Sequence, residues 1–227
     1  MSKISKYIIF SLLATFCVST GIAQEKNDSI RRSMSWFKSL QVEIDMASIV
    51  KSILANGQTY SYEAALQANI LNKYFPVLEA GFAGADYTVE NNSQFATSGF
   101  FGKLGLDIPL LAYKPDKNLR RNLIAGGLRL GLTNFKYDIN NIVINDDYWN
   151  NVQIVDYQTQ NATKLWFEVV GSLRVEIFKN IFMGWSVKYK SKLGATKPGE
   201  ISPYYIPGYG VANDLHWDFG YSIGYCF

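Results

Sequence analysis

The chain has 227 residues, enough for one domain, with 48% hydrophobic residues, 15% aromatic residues and a formal charge of +3. Lys3 and Lys6 stand in a leader segment and carry two of those charges. The near-neutral remainder gives nucleic acid no basic footprint to grip. Cys226 is the only cysteine after the leader, so an internal disulfide is excluded and the fold must rest on packing and hydrogen bonds.

Residues 1–23 read as a signal peptide. Lys3 and Lys6 precede a short apolar run from Tyr7 to Val18, and Gly21 and Ala23 are spaced for cleavage before Gln24. A lipoprotein signal at Cys17 is disfavoured because bulky Phe16 precedes it. No later run approaches the length of a membrane helix, but a closed barrel crosses a bilayer without one. Residues 24–39 read as a polar periplasmic lead-in, with Ile30, Met34 and Phe37 at weak helical spacing, or equally as a loose terminus. Asp28-Ser29-Ile30 within it has the form of a three-residue O-glycosylation sequon.

Period-two alternation governs residues 40–227. The first run sets Leu40, Val42, Ile44 and Met46 against Gln41, Glu43 and Asp45. The second sets Tyr60, Tyr62, Ala64, Leu66, Ala68 and Ile70 against Ser61, Glu63, Gln67 and Asn69. A tight connection around Lys73 and Pro76 leads to the third, Leu78, Ala80 and Phe82 against Glu79, Gly81 and Ala83. In the fourth, Phe100, Leu104, Leu106 and Ile108 oppose Phe101, Lys103, Gly105 and Asp107. A polar turn from Lys114 to Arg121 precedes the fifth, Ile124, Leu128, Leu130 and Leu132 against Ala125, Gly127, Arg129 and Gly131. A long polar segment then spans about Asp138 to Ala162. The sixth run sets Leu165, Phe167, Val169, Leu173, Val175 and Ile177 against Trp166, Glu168, Ser172, Arg174 and Glu176. Lys179-Asn180 is a two-residue hairpin turn. The seventh sets Met183, Trp185, Val187 and Tyr189 against Gly184, Ser186, Lys188 and Lys190. After a Pro- and Tyr-rich loop, about Gly194 to Asn213, the eighth sets Trp217, Phe219, Tyr221, Ile223, Tyr225 and Phe227 against His216, Asp218, Gly220, Ser222 and Gly224.

Eight runs, with short connections after the second, fourth and sixth and longer ones after the third, fifth and seventh, fit an antiparallel up-and-down transmembrane β-barrel of eight strands. A soluble sandwich or lipocalin-like barrel shares the period. Against it stand nearly pure apolar faces, charge gathered on the opposite faces, an export leader, and an aromatic last residue. Tyr60, Tyr62, Trp185, Trp217, Tyr225 and Phe227 would form a belt at the membrane–water interface. The final strand, Trp217 to Phe227, resembles the C-terminal assembly signal of outer-membrane barrels. In that pattern a terminal Phe and alternate aromatic or apolar residues, here Tyr221, Ile223, Tyr225 and Phe227, are read by barrel-insertion machinery. The mature chain as a whole resembles small uncharacterised outer-membrane barrels of the Bacteroidota, OmpA- and OmpX-like in style. The resemblance implies a bacterial outer-membrane location, with membrane lipid and the insertion machinery as partners, and usually no enzymatic activity.

Glu43, Asp45, Glu63, Glu79, Lys103, Asp107, Arg129, Glu168, Arg174, Glu176, Lys188 and Asp218 are expected to face the lumen. An eight-stranded bore is only wide enough for side chains to fill it, so these charges must pair, and a plug is expected rather than a conduit. His216, the only histidine, shares a face with Asp214, Asp218 and Ser222 near the outer rim, a set suited to lipid or peptide chemistry if another strand completes it. No second histidine exists for a zinc site, and Asp146 and Asp147 lack the spaced oxygen ligands of a calcium loop. No cofactor is expected. The outer loops are the better prospect. Asp146, Asp147, Tyr148 and Trp149 would cap a hairpin framed by Ile142, Ile144, Val152 and Ile154. Tyr204, Tyr205 and Tyr209 would cover the mouth or meet a partner. The expected role is that of a non-enzymatic accessory or structural subunit acting through protein contacts. An outer-rim enzyme and a narrow pore are the alternatives.

Overall fold

The computed structural model describes residues 36–55, 57–88, 93–111, 122–146, 151–194, 203–212 and 215–227, with 142–146, 151–155, 157–159 and 215 described as backbone only. The signal peptide, the sequon and most of the lead-in therefore lie outside the described residues, as do the Lys114–Arg121 turn, Asp147, Tyr148, Trp149 and Asp214.

Among the described residues ten strands and one helix follow in order: β1 (Phe37–Asp45), α1 (Met46–Leu54), β2 (Thr59–Ile70), β3 (Phe75–Thr88), β4 (Gln94–Pro109), β5 (Leu123–Asp146), β6 (Asn151–Phe178), β7 (Ile181–Leu193), β8 (Tyr205–Ile206), β9 (Gly210–Val211) and β10 (Leu215–Cys226). Eight of them close into a barrel in the order β1-β10-β7-β6-β5-β4-β3-β2, and β8 and β9 pair separately. Every pairing is antiparallel. The alternation causes this closure directly. Leu78, Phe100, Leu104, Leu128, Leu130 and Phe219 stand exposed on the outer face, while Glu79, Lys103, Asp107, Arg129 and Glu168 are buried inside. That is the inverse of a soluble sandwich or carrier barrel, and it removes both alternatives as folds.

Size alternates across the inner face as well. Phe101 pairs with Gly81, Phe135 with Gly99, Arg129 with Gly105 and Trp166 with Gly131. The glycines are room for their neighbours: a Cβ on Gly131 would collide with the Trp166 ring. Small and large residues must alternate to fill so narrow a bore.

Of the expected turns within the described residues, one is in place and one is displaced. Lys179-Asn180 joins Phe178 to Ile181, with Asn180 at φ 69. The β2–β3 turn falls at Leu71–Lys73, earlier than the expected Lys73–Pro76. Leu71 and Asn72 take φ of 55 and 56, and the Asn69 side chain holds them by accepting from the Asn72 amide at 3.0 Å. Pro76 already lies within β3, opposite Leu106. It is tolerated because the ladder to β2 ends at Val77, so no partner there needs its missing N–H. Three further boundaries move. β1 begins at Phe37, inside the expected lead-in. Asp138 to Ala162 holds the expected hairpin as a continuation of the barrel wall: β5 and β6 run on through it as paired strand to Asp146 and Asn151, with Ile142 opposite Val155 and Val143 opposite Ile154. The β1–β2 connection holds α1, which the period-two pattern did not foresee.

Candidate functional site

Two layers fill the bore. The deeper one is a charge network whose members come from every strand of the barrel and from the helix. Arg129 lies between two carboxylates. Its Nη1 and Nη2 donate to the two oxygens of Asp107 at 2.6 and 3.0 Å, and its Nε donates to Glu79 Oε1 at 2.9 Å. The paired fork geometry is the strongest an arginine makes. The Lys103 ammonium, wholly enclosed, lies 2.7 Å from Glu63, 3.2 Å from Glu79 and 3.6 Å from Glu168. Lys188 reaches Glu63 at 2.9 Å, and Arg174 reaches Glu43 at 2.6 Å while donating to Gln41 and Gln67. Lys190 Nζ meets Asp218 at 2.9 Å. Lys51, Lys103, Arg129, Arg174, Lys188 and Lys190 thus match Glu43, Glu63, Glu79, Asp107, Glu168 and Asp218 one for one. A cavity of about 70 Å³ remains inside the network, enough for a few waters.

Of the expected lumen residues, all but two join this network. Asp45 instead caps α1, accepting from the Ala47 amide at 2.9 Å and the Ser48 hydroxyl at 2.9 Å. Its position at the last residue of β1 makes it a helix start, while it still lines the cavity inside the network. Glu176 lies at the β6–β7 end, where its Oε1 accepts from the Asn180 amide at 3.1 Å and fastens the turn. Lys190, Gln41, Gln67 and Lys51 complete the network and were not among the expected members. Lys190 shares the inward phase of Lys188, so the alternation already contained it.

The outer layer is apolar. Phe95, Phe101, Phe135, Tyr137, Ile139 and Trp166 point inward from the wall, and Ile206 and Tyr209 descend on the β8–β9 hairpin to meet them. Tyr209 is 1% exposed, its ring 6.0 Å from Trp166 in an edge-on arrangement. Of the two expected roles, covering the mouth or meeting a partner, Tyr209 takes the first: it packs down into the barrel as a stopper. Gly208 and Gly210 carry φ of +80 and +111, and a side chain at Gly208 would strike the Phe101 ring. Lys190 donates to the Gly208 and Tyr209 carbonyls at 3.2 Å, tying the stopper to the charge layer beneath. Tyr204 stays exposed, edge-on to Phe95 at 5.6 Å. Tyr205 is half-buried, and burial pushes its phenol up to about 12.

Asp214 lies outside the described residues, and among the described ones no nucleophile and base are brought together at His216. Ser222 Oγ donates to Glu43 at 3.0 Å, Asp218 is held by Lys51 and Lys190, and the ring near His216 is Tyr209, at 6.2 Å. Among the described residues no cluster of His, Cys, Asp and Glu could hold a metal. On the outer wall Tyr62, Trp185, Trp217, Tyr225 and Phe227 are exposed. Tyr221, Ile223 and Tyr225 lie on the outward phase of β10, whose end is zipped to β1 by the Phe227 amide donating to Leu40 O at 2.8 Å.

A closed eight-stranded barrel, charged and plugged within and apolar without, has the arrangement of a membrane-spanning barrel. The chain belongs to the family described as Domain of unknown function (DUF6048), whose model matches residues 2–227. No curated protein matches the sequence. Among solved structures, the chain is similar to a major outer membrane protein from Thermus thermophilus, at 14% identity and TM-score 0.46, covering 84% of this chain and 100% of that one. It is also similar to Ail, the attachment invasion locus protein of Yersinia pestis, solved with the heparin analogue sucrose octasulfate. There the identity is 10% and the TM-score 0.40, covering 83% of this chain and 97% of that one.

Proposed function

We propose that the protein is a bacterial outer-membrane barrel that works without catalysis, as an accessory or structural subunit held to a protein partner by the β5–β6 arm. The observation that carries this reading is the arm itself. The β4 ladder to β5 ends at Asn140 and the β7 ladder to β6 ends at Leu165, yet β5 and β6 stay paired to Asp146 and Asn151. At about 3.3 Å per residue, the β6 edge is free of β7 for roughly 45 Å along Asn151–Lys164, and the β5 edge is free of β4 for roughly 20 Å along Asn141–Asp146, where the two strands form an arm open on both sides. Among the described residues no barrel strand flanks either edge of that two-stranded arm, and an open strand edge is a template for another chain's strand. The apolar belt supports a membrane setting. The filled bore argues against transport. The leader read in residues 1–23 supports export, and the resemblance of the last strand to an assembly signal supports delivery by the insertion machinery.

The test is purification of the tagged protein from membranes in mild detergent, followed by mass spectrometry. It is run beside a variant in which residues 140–158 are replaced by a short turn. A stoichiometric companion that disappears with the arm is expected. A lone barrel in both preparations would overturn the subunit reading. Planar-bilayer recordings should show no conductance steps, and steady steps would restore the narrow-pore alternative.

A further inference from the structure

The outer half of the barrel wall has a gap. β1 pairs with β10 only from Gln41↔Cys226 to Asp45↔Ser222, and with β2 only as far as Ile44↔Ala64. Beyond those points β10 continues to Leu215 against β7, and β2 continues back to Thr59 against β3. Two strand edges therefore face each other with no strand between them. The chain leaves the sheet at Asp45 because that side chain caps a helix, and α1 crosses the gap instead.

α1 is suited to close the gap and poorly fixed in it. Its polar side supplies what the edges lack: Ser52 Oγ accepts from the Ser61 amide of β2 at 3.1 Å, and Lys51 Nζ donates to the Phe219 carbonyl of β10 at 2.8 Å. Its apolar side is bare. No residue of the helix is buried, and Ile53 and Leu54 are 71% and 77% exposed, continuing the outer surface formed by Tyr62, Trp217 and Phe219. The ion pair that ties the helix to the wall, Lys51 with Asp218, has its lysine half exposed. The return to β2 passes through Gly57 at φ +79, a backbone that swivels without a side-chain penalty. Behind the helix lies a cavity of about 410 Å³, lined by Ser48, Lys51, Ser52, Tyr205, His216 and Asp218 among others. That volume is in the range of ligand pockets. From above, the cavity is screened by the β8–β9 stopper, whose Tyr205, Tyr209 and Val211 form part of its lining.

We propose that this cavity binds the head of a zwitterionic membrane phospholipid, which enters sideways through the β2–β10 gap as α1 yields. The inference rests on the membrane-spanning reading above. The route is lateral because α1 is the loosely held wall and its apolar side is continuous with the lipid-facing surface. The head is zwitterionic because the charges at the site are already matched. A phosphate on Lys51 and an ammonium on Asp218 exchange for that pair and leave no charge unmatched, whereas an anionic head that takes Lys51 leaves Asp218 with Lys190 alone, a cation it already shares with Glu168.

The test places the photo-crosslinking residue benzoylphenylalanine at Ser61, behind the helix, in the full chain reconstituted in phosphatidylethanolamine vesicles. A second protein carries it at Phe100 on the outer wall, 75% exposed. Circular dichroism first establishes that each variant is a folded β-barrel. Lipid adducts at both positions are expected. An adduct at position 100 alone overturns the inference and leaves the membrane reading standing, while adducts at neither overturn the membrane reading itself. In phosphatidylglycerol vesicles the yield at position 61 should fall about tenfold, the value of one lost charge-assisted contact, with position 100 unchanged. Equal yields in the two lipids would overturn the assignment of the head. A Ser48→Tyr, Ser52→Tyr variant, which fills the cavity from the helix side, should lose the adduct at position 61 and retain it at position 100.

Discussion

The two layers inside the barrel solve one problem by opposite means. The deeper layer fills its cross-section with charges, each needing a partner from another strand: Arg129 on β5 takes Asp107 from β4 and Glu79 from β3. The outer layer fills the same bore with aromatic rings and needs only shape, with Tyr209 against Trp166 and Phe95 against Tyr87 and Tyr137. Charge pairing is directional and unforgiving of loss. Ring packing tolerates rearrangement, and its central pieces hang on a hairpin outside the barrel ladder. The deeper layer therefore specifies how the barrel closes, while the outer one stoppers it.

The largest expected effect lies in the charge layer. Arg129→Ala strands Asp107 in an enclosed space and leaves Glu79 to Lys103 alone among its close partners, and breaking such a pair costs about 3–5 kcal/mol. Equilibrium unfolding in denaturant from lipid vesicles measures this. A loss below about 1 kcal/mol, the range of a surface pair, would mean that water reaches the network freely and that the contrast between the layers is wrong. The junction of the layers comes next. A side chain at Gly131 would drive into the Trp166 ring, so Gly131→Val should cost about 1–3 kcal/mol by overpacking. Gly171 faces outward with nothing within reach of an added Cβ, and Gly171→Ala should stay within about 0.5 kcal/mol. Equal losses at the two positions would show that the glycines serve the ladder rather than the filling.

Much of this architecture was legible because a strand's side chains alternate strictly. Once Lys103, Arg129 and Glu168 share a phase with Gly105, Gly131 and Ser172, their face is decided. Partners were not legible. Lys103 meets Glu63 and Glu168 only because closure brings β2, β4 and β6 to a common axis, and alternation within one strand says nothing about the depth of its neighbour. Phe101 and Trp166 were placed inward, but a face does not say whether its charges or its rings will predominate at a given height. α1 was missed because Met46 continues the alternation of β1. The competing signal was present in Asp45 with Ser48 three residues later and in Met46, Val50 and Ile53 at helical spacing. The stopper was hidden in a segment whose prolines read as loop. Pro203 and Pro207 are in fact among the fully buried residues, together with Ile206 and Tyr209.

A smaller effect separates the wall from its helical patch. Asp45→Ala removes the cap of α1, worth about 1 kcal/mol. The loss should fall on the helix, since the β1 ladders run through Ile44 without that carboxylate. Limited proteolysis should then cut within residues 46–58 while the barrel core stays intact. Unchanged resistance there would mean that the side-chain bonds of Lys51 and Ser52 hold α1 without the cap.

The smallest effect belongs to the stopper, and it is read by pH. The Tyr205 phenol has an ordinary value of 10.0 and is pushed up to about 12, chiefly by burial. The folded hairpin favours the neutral phenol, so its contribution to stability is complete below about pH 10 and is lost as the pH climbs toward 12. Alkaline titration followed by phenolate absorbance should show a late component that Tyr205→Phe removes. The far-ultraviolet signal of the barrel should barely change through it, because the β8–β9 pairing is separate from the closed ladder. If Tyr205→Phe leaves the titration curve unaltered, the hairpin is more open to water than its packing implies. If instead the barrel signal collapses together with the late component, the stopper is part of the closure, and the division between a specifying layer and a stoppering one fails.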